Sequence, residues 1–136
     1  PRTDKSRFQL EFDWTGTGDP SAYLSVPAAI QFMGSLLPGG WPELMSRNHQ
    51  LVLSARQMLC ETLGVEIPAP SDLIGSMACI PITDGSADEL HDELFDRHQI
   101  ELQVMPWPKS PHRVIRISAQ IYNTFEQYQE LAAVLQ

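Results

Sequence analysis

The chain has 136 residues, a net charge of −8 at pH 7 and a sequence pI near 4.8. This acidity excludes nucleic acid and anionic membranes as its main partners, because both bind basic surfaces. The length fits one domain with a modest core, and no apolar run approaches the roughly 18 residues of a transmembrane span.

The first predicted elements are a strand and a helix. The run FQLEF at positions 8–12 alternates apolar and polar residues, which is the pattern of a half-buried strand. Asp19 is suited to cap the start of the following helix, and Pro20 is suited to its first position. Pro27 predicts a kink or a restart within that helix.

A longer helix is predicted from Pro42, after the break formed by Pro38, Gly39 and Gly40. Gly64 marks its end, because glycine readily adopts the left-handed conformation that follows many helices. Apolar residues recur along it at helical spacing: Leu51, Ala55, Met58, Leu59 and Leu63.

The second half of the chain mixes strands and helices. Apolar patterning predicts strands in SMACIPI, IELQVMP and RVIRISAQ, a helix in ADELHDELFDRH, and a last helix capped by Asn123 with Glu126 at the capping-box position. We therefore predict an α+β fold within a single domain, residues 1–136. Residues 1–64 would form a strand and a helical arm. Residues 65–136 would form a small three-stranded, mostly antiparallel sheet with helices on one face.

The turn from Thr15 to Gly18 is the first candidate site. Glycine beside threonine allows backbone N–H groups and a hydroxyl to converge on an oxyanion, and the helix that follows adds its positive end. A plain strand-to-helix turn is the alternative, since short Gly/Thr turns are common. The turn is not a P-loop, because no Gly-Lys-Ser/Thr follows.

Arg116 is the second candidate, because it lies between Ile115 and Ile117 in a predicted strand. A guanidinium at such a position needs a carboxylate or phosphate to face. The alternative is a structural arginine on an edge strand, paired with one of the 17 acidic residues of the chain. Arg113 is expected on the opposite face, in solvent.

Two further groups of residues are read as structural. Asp88, Asp92 and Asp96 recur every four residues on the acidic helix, and a solvated face explains them better than a metal site. Cys60 and Cys79 show no metal-binding spacing, so we expect two buried free thiols in a reducing compartment.

Three segments together resemble class V aminotransferase-like enzymes, which use pyridoxal 5′-phosphate (PLP). They are FDWTGTGDPSAYLSVPAAIQF, RNHQLVLSARQMLCETLG and VIRISAQIYNTFEQYQEL. The combination with GSM..IP, LHDELF and PWP is most similar to isopenicillin N epimerase-like members. The resemblance covers nearly the whole chain, and the WTGT and RISAQIYN pieces are its more specific parts.

The resemblance implies roles for individual residues. Thr17, with Gly16 allowing close approach, would contact the PLP phosphate of the other subunit of a homodimer, and Arg116 would bind the α-carboxylate of an amino-acid substrate. The family also needs a Schiff-base lysine and an aspartate under the pyridine nitrogen. Lys5 and Lys109 are the only lysines, and neither matches.

We therefore expect a C-terminal domain without its large PLP-binding domain, inactive by itself and cytoplasmic in the parent enzyme. The sequence leaves open which substrate the parent takes. It also leaves open whether the reaction is epimerisation, transamination, desulfuration or elimination. The competing hypothesis is a non-enzymatic module for partner binding or dimerisation, built on the apolar helical arm.

Overall fold

The structure is a computed structural model that describes residues 4–13, 16 and 18–136. Its helices are α1 (Arg7–Phe12), α2 (Ser21–Leu24), α3 (Val26–Ser35), α4 (Gly40–Leu63), α5 (Ala87–His98) and α6 (Phe125–Val134). Its strands are β1 (Met77–Ile82), β2 (Gln103–Pro106) and β3 (Arg113–Ser118), and a short 3-10 helix covers Ser71–Leu73.

The first element is a helix, so the prediction of a strand over positions 8–12 is wrong. Ser6 and Gln9 form a capping box at its start, and Arg7 forms an ion pair with Glu11 one turn later. Phe8 and Phe12 stack on one side with ring centroids 4.9 Å apart. Local capping and i,i+4 pairs therefore favour a helix, although the apolar residues also alternate.

The helices of the arm are present as predicted but begin elsewhere: Pro20, not Asp19, is the N-cap of α2, and α4 begins at Gly40 instead of Pro42. The chain restarts at Ser25, just before Pro27, so one predicted helix becomes the two helices α2 and α3. The indole N–H of Trp41 donates to the carbonyl of Ile30 at 3.1 Å, which ties α3 to the start of α4. Gly64 ends α4 in the left-handed conformation with φ +65°, as predicted.

The three strands form one antiparallel sheet in the order β1-β3-β2, so β3 is the central strand. Helix α4 packs on the sheet against β1 and β3, α6 packs against α4, and α5 packs against β2. The hydrophobic core contains side chains from these helices and from the sheet. Its fully buried side chains include Val52, Leu59, Ile80, Ile115 and Ile117. The predicted α+β class with a three-stranded sheet and helices on one face is confirmed.

The last helix begins one residue later than predicted. Thr124 is its N-cap, and its backbone N–H donates to the side chain of Gln127 at 3.1 Å. Asn123 therefore does not cap the helix. Its Oδ1 instead accepts from the backbone N–H of Gln120 at 3.0 Å, which shapes the loop after β3.

Candidate functional site

The face of the sheet away from the helices carries the candidate site. Because β3 is central, Arg116 has a direct neighbour on each side, Cys79 on β1 and Gln103 on β2. All three are exposed, and directly opposed residues of antiparallel strands point to the same face. They form one row across the open face of the sheet.

Arg116 is not the edge-strand arginine of the structural alternative. It lies on the central strand, and among the residues that the structure describes it forms neither an ion pair nor a side-chain hydrogen bond. A guanidinium has five N–H donors in a planar fork, which suits a carboxylate. Among the described residues, Arg116 is therefore an unpaired guanidinium whose geometry would suit an anion.

The strand residues around Arg116 on the open face are mostly apolar, and none of them is acidic. Cross-strand register places Pro81, Val114 and Met105 in the next row on one side, and Met77 opposite Ser118 on the other. Water-facing sheet surfaces normally carry polar residues, so an apolar face around one free cation indicates an interface.

A cavity of about 700 Å³ opens beside Arg116, where β2 begins and β3 ends. Its polar lining includes Glu101, Gln103, Arg116, Ser118, Tyr122 and Glu130. The cavity therefore offers Arg116 and two carboxylates to a polar ligand. The described residues leave it open to solvent.

Arg113 differs from the prediction of a solvated side chain. Its Nε donates to the carbonyl of Thr83 at 2.8 Å, and its Nη1 donates to the carbonyl of Ser86. These bonds tie the start of β3 to the loop before α5. The guanidinium is thus used in local structure, whereas that of Arg116 is free.

The other predicted site falls partly outside the described residues. Gly16 has φ +110° and no heavy atom within 4 Å of the position that a Cβ would take. This conformation favours glycine and leaves room for a close approach. Thr17 lies outside the described residues, so its contact with a phosphate stays a prediction.

Neither lysine lies on the open face. Lys5 forms an ion pair with Asp13, with Nζ 2.8 Å from Oδ2. Lys109 lies in the exposed turn that joins β2 to β3. The described residues therefore offer the PLP aldehyde no amine next to Arg116, and this chain does not fit the cofactor by itself.

The acidic helix and the cysteines complete the comparison with prediction. Asp88, Asp92 and Asp96 are exposed on α5, so the solvated face is confirmed, and the described ranges contain no group of three or more metal-ligating side chains. Cys60 is buried as predicted, and burial raises the pKa of its thiol. Cys79 is exposed, so that prediction was wrong, because strand alternation turns it toward the open face.

Sequence reasoning missed the residues that hold this end of the sheet in place. Asn48 is buried in α4, and its Nδ2 donates to Oε1 of Gln120 at 2.9 Å. The Nδ1 of His49 lies 3.1 Å from the carbonyl of Gly75. The available signal was an asparagine in the interior of a long helix, where this residue is a poor helix former.

No protein-family model matches the chain. Individual relatives do match. The chain is 31% identical to putative L-cysteine desulfhydrase 1 of Oryza sativa subsp. japonica over 90% of its own length and 30% of that protein. It is 34% identical to isopenicillin N epimerase of Streptomyces clavuligerus over 88% of its length and 30% of that protein. The corresponding values for isopenicillin N epimerase of Amycolatopsis lactamdurans are 32%, 98% and 32%.

The chain thus spans about 30% of the length of the curated relatives that it matches. The relatives that match this chain are L-cysteine desulfhydrases and isopenicillin N epimerases, which are class V aminotransferase-like enzymes that use PLP, as the sequence motifs indicated. None of the described helices is long and apolar enough to cross a membrane.

Proposed function

We propose that residues 1–136 form the C-terminal domain of a PLP-dependent enzyme that acts on an amino acid. In this proposal Arg116 binds the substrate α-carboxylate. Gly16 and Thr17 contact the cofactor phosphate held by the other subunit of a homodimer. The observation that supports the proposal is the unpaired guanidinium of Arg116 at the centre of an apolar, uncovered sheet face.

Arg116 would act by orientation. Its planar fork donates to both oxygens of a carboxylate, which fixes the substrate in rotation as well as in position. A large domain covering the apolar rows that contain Met77 and Met105 would exclude water from this pair and strengthen it. The carboxylate would then hold the Cα–H bond in one direction, while the covalent chemistry comes from the cofactor.

PLP itself would be held by groups outside this chain. Lys5 and Lys109 lie off the open face, so the lysine and the pyridine-pairing aspartate would come from the large domain. We therefore expect the 136-residue chain to be inactive without that domain. Two free cysteines are compatible with a reducing compartment, and we propose a cytoplasmic location, although one relative is named as a chloroplastic enzyme.

The deciding experiment compares a substrate with its decarboxylated amine in the complete enzyme. The pair is L-cysteine, which is named in several relatives, and cysteamine. If Arg116 binds the carboxylate, the KM for cysteamine should be much higher than the KM for L-cysteine. In the Arg116→Gln variant the difference between the two compounds should largely disappear. Equal discrimination by the wild-type enzyme and this variant would rule out the carboxylate role.

A second candidate function is a non-enzymatic module that binds a partner or dimerises. The supporting observation is the arm, in which large apolar side chains are exposed: Phe8, Phe12, Tyr23, Leu24, Ile30 and Phe32. This surface would also be covered in the complete enzyme, so exposure alone fits both functions. Restoration of activity when the chain is mixed with the PLP-binding domain would favour the enzyme.

A further inference from the structure

Two consecutive residues of α4 bond the segment that leads into β1 and the segment that follows β3, the strand of Arg116. The Nδ2 of Asn48 donates to Oε1 of Gln120, two residues after the end of β3. The next residue, His49, bonds the carbonyl of Gly75, two residues before the start of β1. A carbonyl only accepts, so Nδ1 of His49 is the donor. We call Asn48, His49, Gly75 and Gln120 the α4 clamp.

The clamp lies at the end of the sheet that carries Arg116. Met77 and Ser118 are directly paired there, and the backbone N–H of Ala119 continues the pairing with the carbonyl of Ser76 at 2.8 Å. Arg116 is only two residues before Ser118 and four before Gln120. A shift of the loop that contains Gln120 is therefore passed directly to the strand that carries the guanidinium.

This end of β3 is paired on one side only, and Ile117 and Ala119 pack in the hydrophobic core. On the β2 side the register stops at the Gln103–Arg116 pair, so Ile117 and Ser118 have a strand neighbour only in β1. The hydroxyl of Tyr128, on α6, donates to the carbonyl of Ser118 at 2.7 Å. Together with that bond, the pairing with β1 and the core packing, the clamp holds the loop that follows the strand.

The Asn48 side chain is not fully satisfied. The backbone N–H of Ile121 donates to Oε1 of Gln120 at 2.8 Å, which fixes this oxygen toward Asn48 and makes Asn48 present its NH₂ group. Oδ1 of Asn48 is then buried without a partner among the described residues. An unpartnered buried oxygen costs stability, so the Asn48 amide stabilises less than its bond to Gln120 alone would suggest.

We infer that Asn48, acting through Gln120, is a positioning residue that sets the place of Arg116 for carboxylate binding. This inference rests on the proposed function of Arg116. The Asn48–Gln120 bond would fix the position of the end of β3, so that the Arg116 guanidinium presents two of its N–H donors to the same carboxylate. Loss of the bond should loosen that end of the strand without unfolding the sheet.

The first test uses hydrogen exchange on the 136-residue chain and needs no cofactor. In Asn48→Leu, a variant of similar size without the donor, exchange at the amides of residues 117–121 should become about fivefold faster, the effect of one neutral hydrogen bond. Exchange at Ile80 and Ile115 should stay unchanged. Uniform acceleration across the sheet would overturn the inference, because it would reduce Asn48 to a stabilising residue.

The second test measures kinetics in the complete enzyme, using Asn48→Leu, Gln120→Met and the double variant. Each should raise KM for the amino acid about fivefold with little change in kcat, and the double variant should be no worse than either single one. Ile82→Val, at the far end of β1, is the control that lowers stability and leaves KM alone.

The outcomes separate this inference from the proposed function. If Arg116→Lys raises KM but the clamp variants do not, the positioning role is refuted and the carboxylate role stands. If Arg116→Lys has no effect on KM, the proposed function of Arg116 is refuted, and the positioning role that rests on it is refuted with it. If KM rises in Arg116→Lys and in the clamp variants, and the effects of the Asn48 and Gln120 substitutions do not add, the result supports both the proposed function and the positioning role.

Discussion

Cys79 and Arg116 are direct cross-strand neighbours on β1 and β3, and both are exposed on the face of the sheet that no helix covers. Directly opposed side chains in an antiparallel pair have Cβ atoms about 5 Å apart. A ligand bound by Arg116 would therefore lie near the Cys79 thiol. The exposed Cys79 thiol can therefore be labelled to report on the surroundings of Arg116, the candidate binding residue.

Replacing Arg116 by lysine tests the bidentate contact. Lysine keeps the charge but loses the planar fork, so we expect KM for the amino acid to rise about tenfold or more in the complete enzyme, with PLP still bound. Steady-state kinetics and the absorbance of the bound cofactor measure the two effects. Arg97→Lys is the matched control, because Arg97 pairs with Glu93 on the solvated face of α5. An unchanged KM in Arg116→Lys would contradict the carboxylate role.

Thr17→Ala tests the phosphate contact. The alanine methyl group cannot replace the hydroxyl as a hydrogen-bond donor, so the variant should release PLP more readily during dialysis, with KM for the amino acid changed less than cofactor affinity. Ser21→Ala is a nearby control, since the Ser21 hydroxyl donates to Asp19 at the start of α2. Equal PLP retention in wild type and Thr17→Ala would argue against the cross-subunit contact.

The thiols should react at very different rates in the 136-residue chain. Cys79 is exposed, whereas Cys60 is 2% exposed and burial raises the pKa of its thiol. We expect an aromatic disulfide reagent to modify one thiol rapidly and the second only after denaturation. Cys79→Ala should remove the rapid phase, and Cys60→Ala should leave it intact. Two equally fast thiols would contradict the packing of α4.

Much of the fold could be predicted because capping residues and apolar periodicity agree with the tertiary structure. The acidic helix and the end of α4 at Gly64 were predicted to the residue. The run at positions 8–12 failed, because its apolar residues fit both a strand and a helix, and short-range pairs between side chains decided between them. The spacing of apolar residues predicts an element well only when it fits either a helix or a strand but not both.

The site was harder to predict than the fold. Arg116 could be chosen from its apolar neighbours in sequence, but its central strand and its lack of a partner among the described residues depend on strand order. Cys79 and Gln103 join its row only through register, and Asn48 reaches Gln120 across 72 positions in sequence. The local sequence around each residue does not indicate such long-range pairings.

The buried Tyr128 hydroxyl gives a pH-dependent prediction. Burial raises its pKa, and the Tyr122 hydroxyl nearby adds to the shift, so the folded state favours the protonated phenol. This contribution to stability is complete below the unfolded pKa of about 10 and is lost as the pH rises through the higher folded value. Tyr128→Phe should therefore lose less stability above pH 10 than wild type.

At neutral pH the same variant should be less stable by about 1 kcal/mol, because the carbonyl of Ser118 loses its donor. Chemical denaturation at pH 7 and at about pH 10.5, just above the ordinary tyrosine pKa, measures both effects. Tyr23→Phe, on the exposed arm, is the control that should change neither value. Identical alkaline behaviour of Tyr128→Phe and wild type would show that another group causes the loss.

The apolar arm should make the 136-residue chain associate with itself. Ile30 and Phe32 on α3 are 53% and 62% exposed, and the neighbouring helix α2 exposes Tyr23 and Leu24. Sedimentation at increasing concentration should show mass above that of a monomer, and Phe32→Ser should shift the equilibrium toward monomer. Leu73→Ser, at an exposed position outside the arm, should have no such effect. A monomer at all concentrations would remove the dimerisation module as an alternative, because an arm that does not associate alone must be covered by the rest of the enzyme.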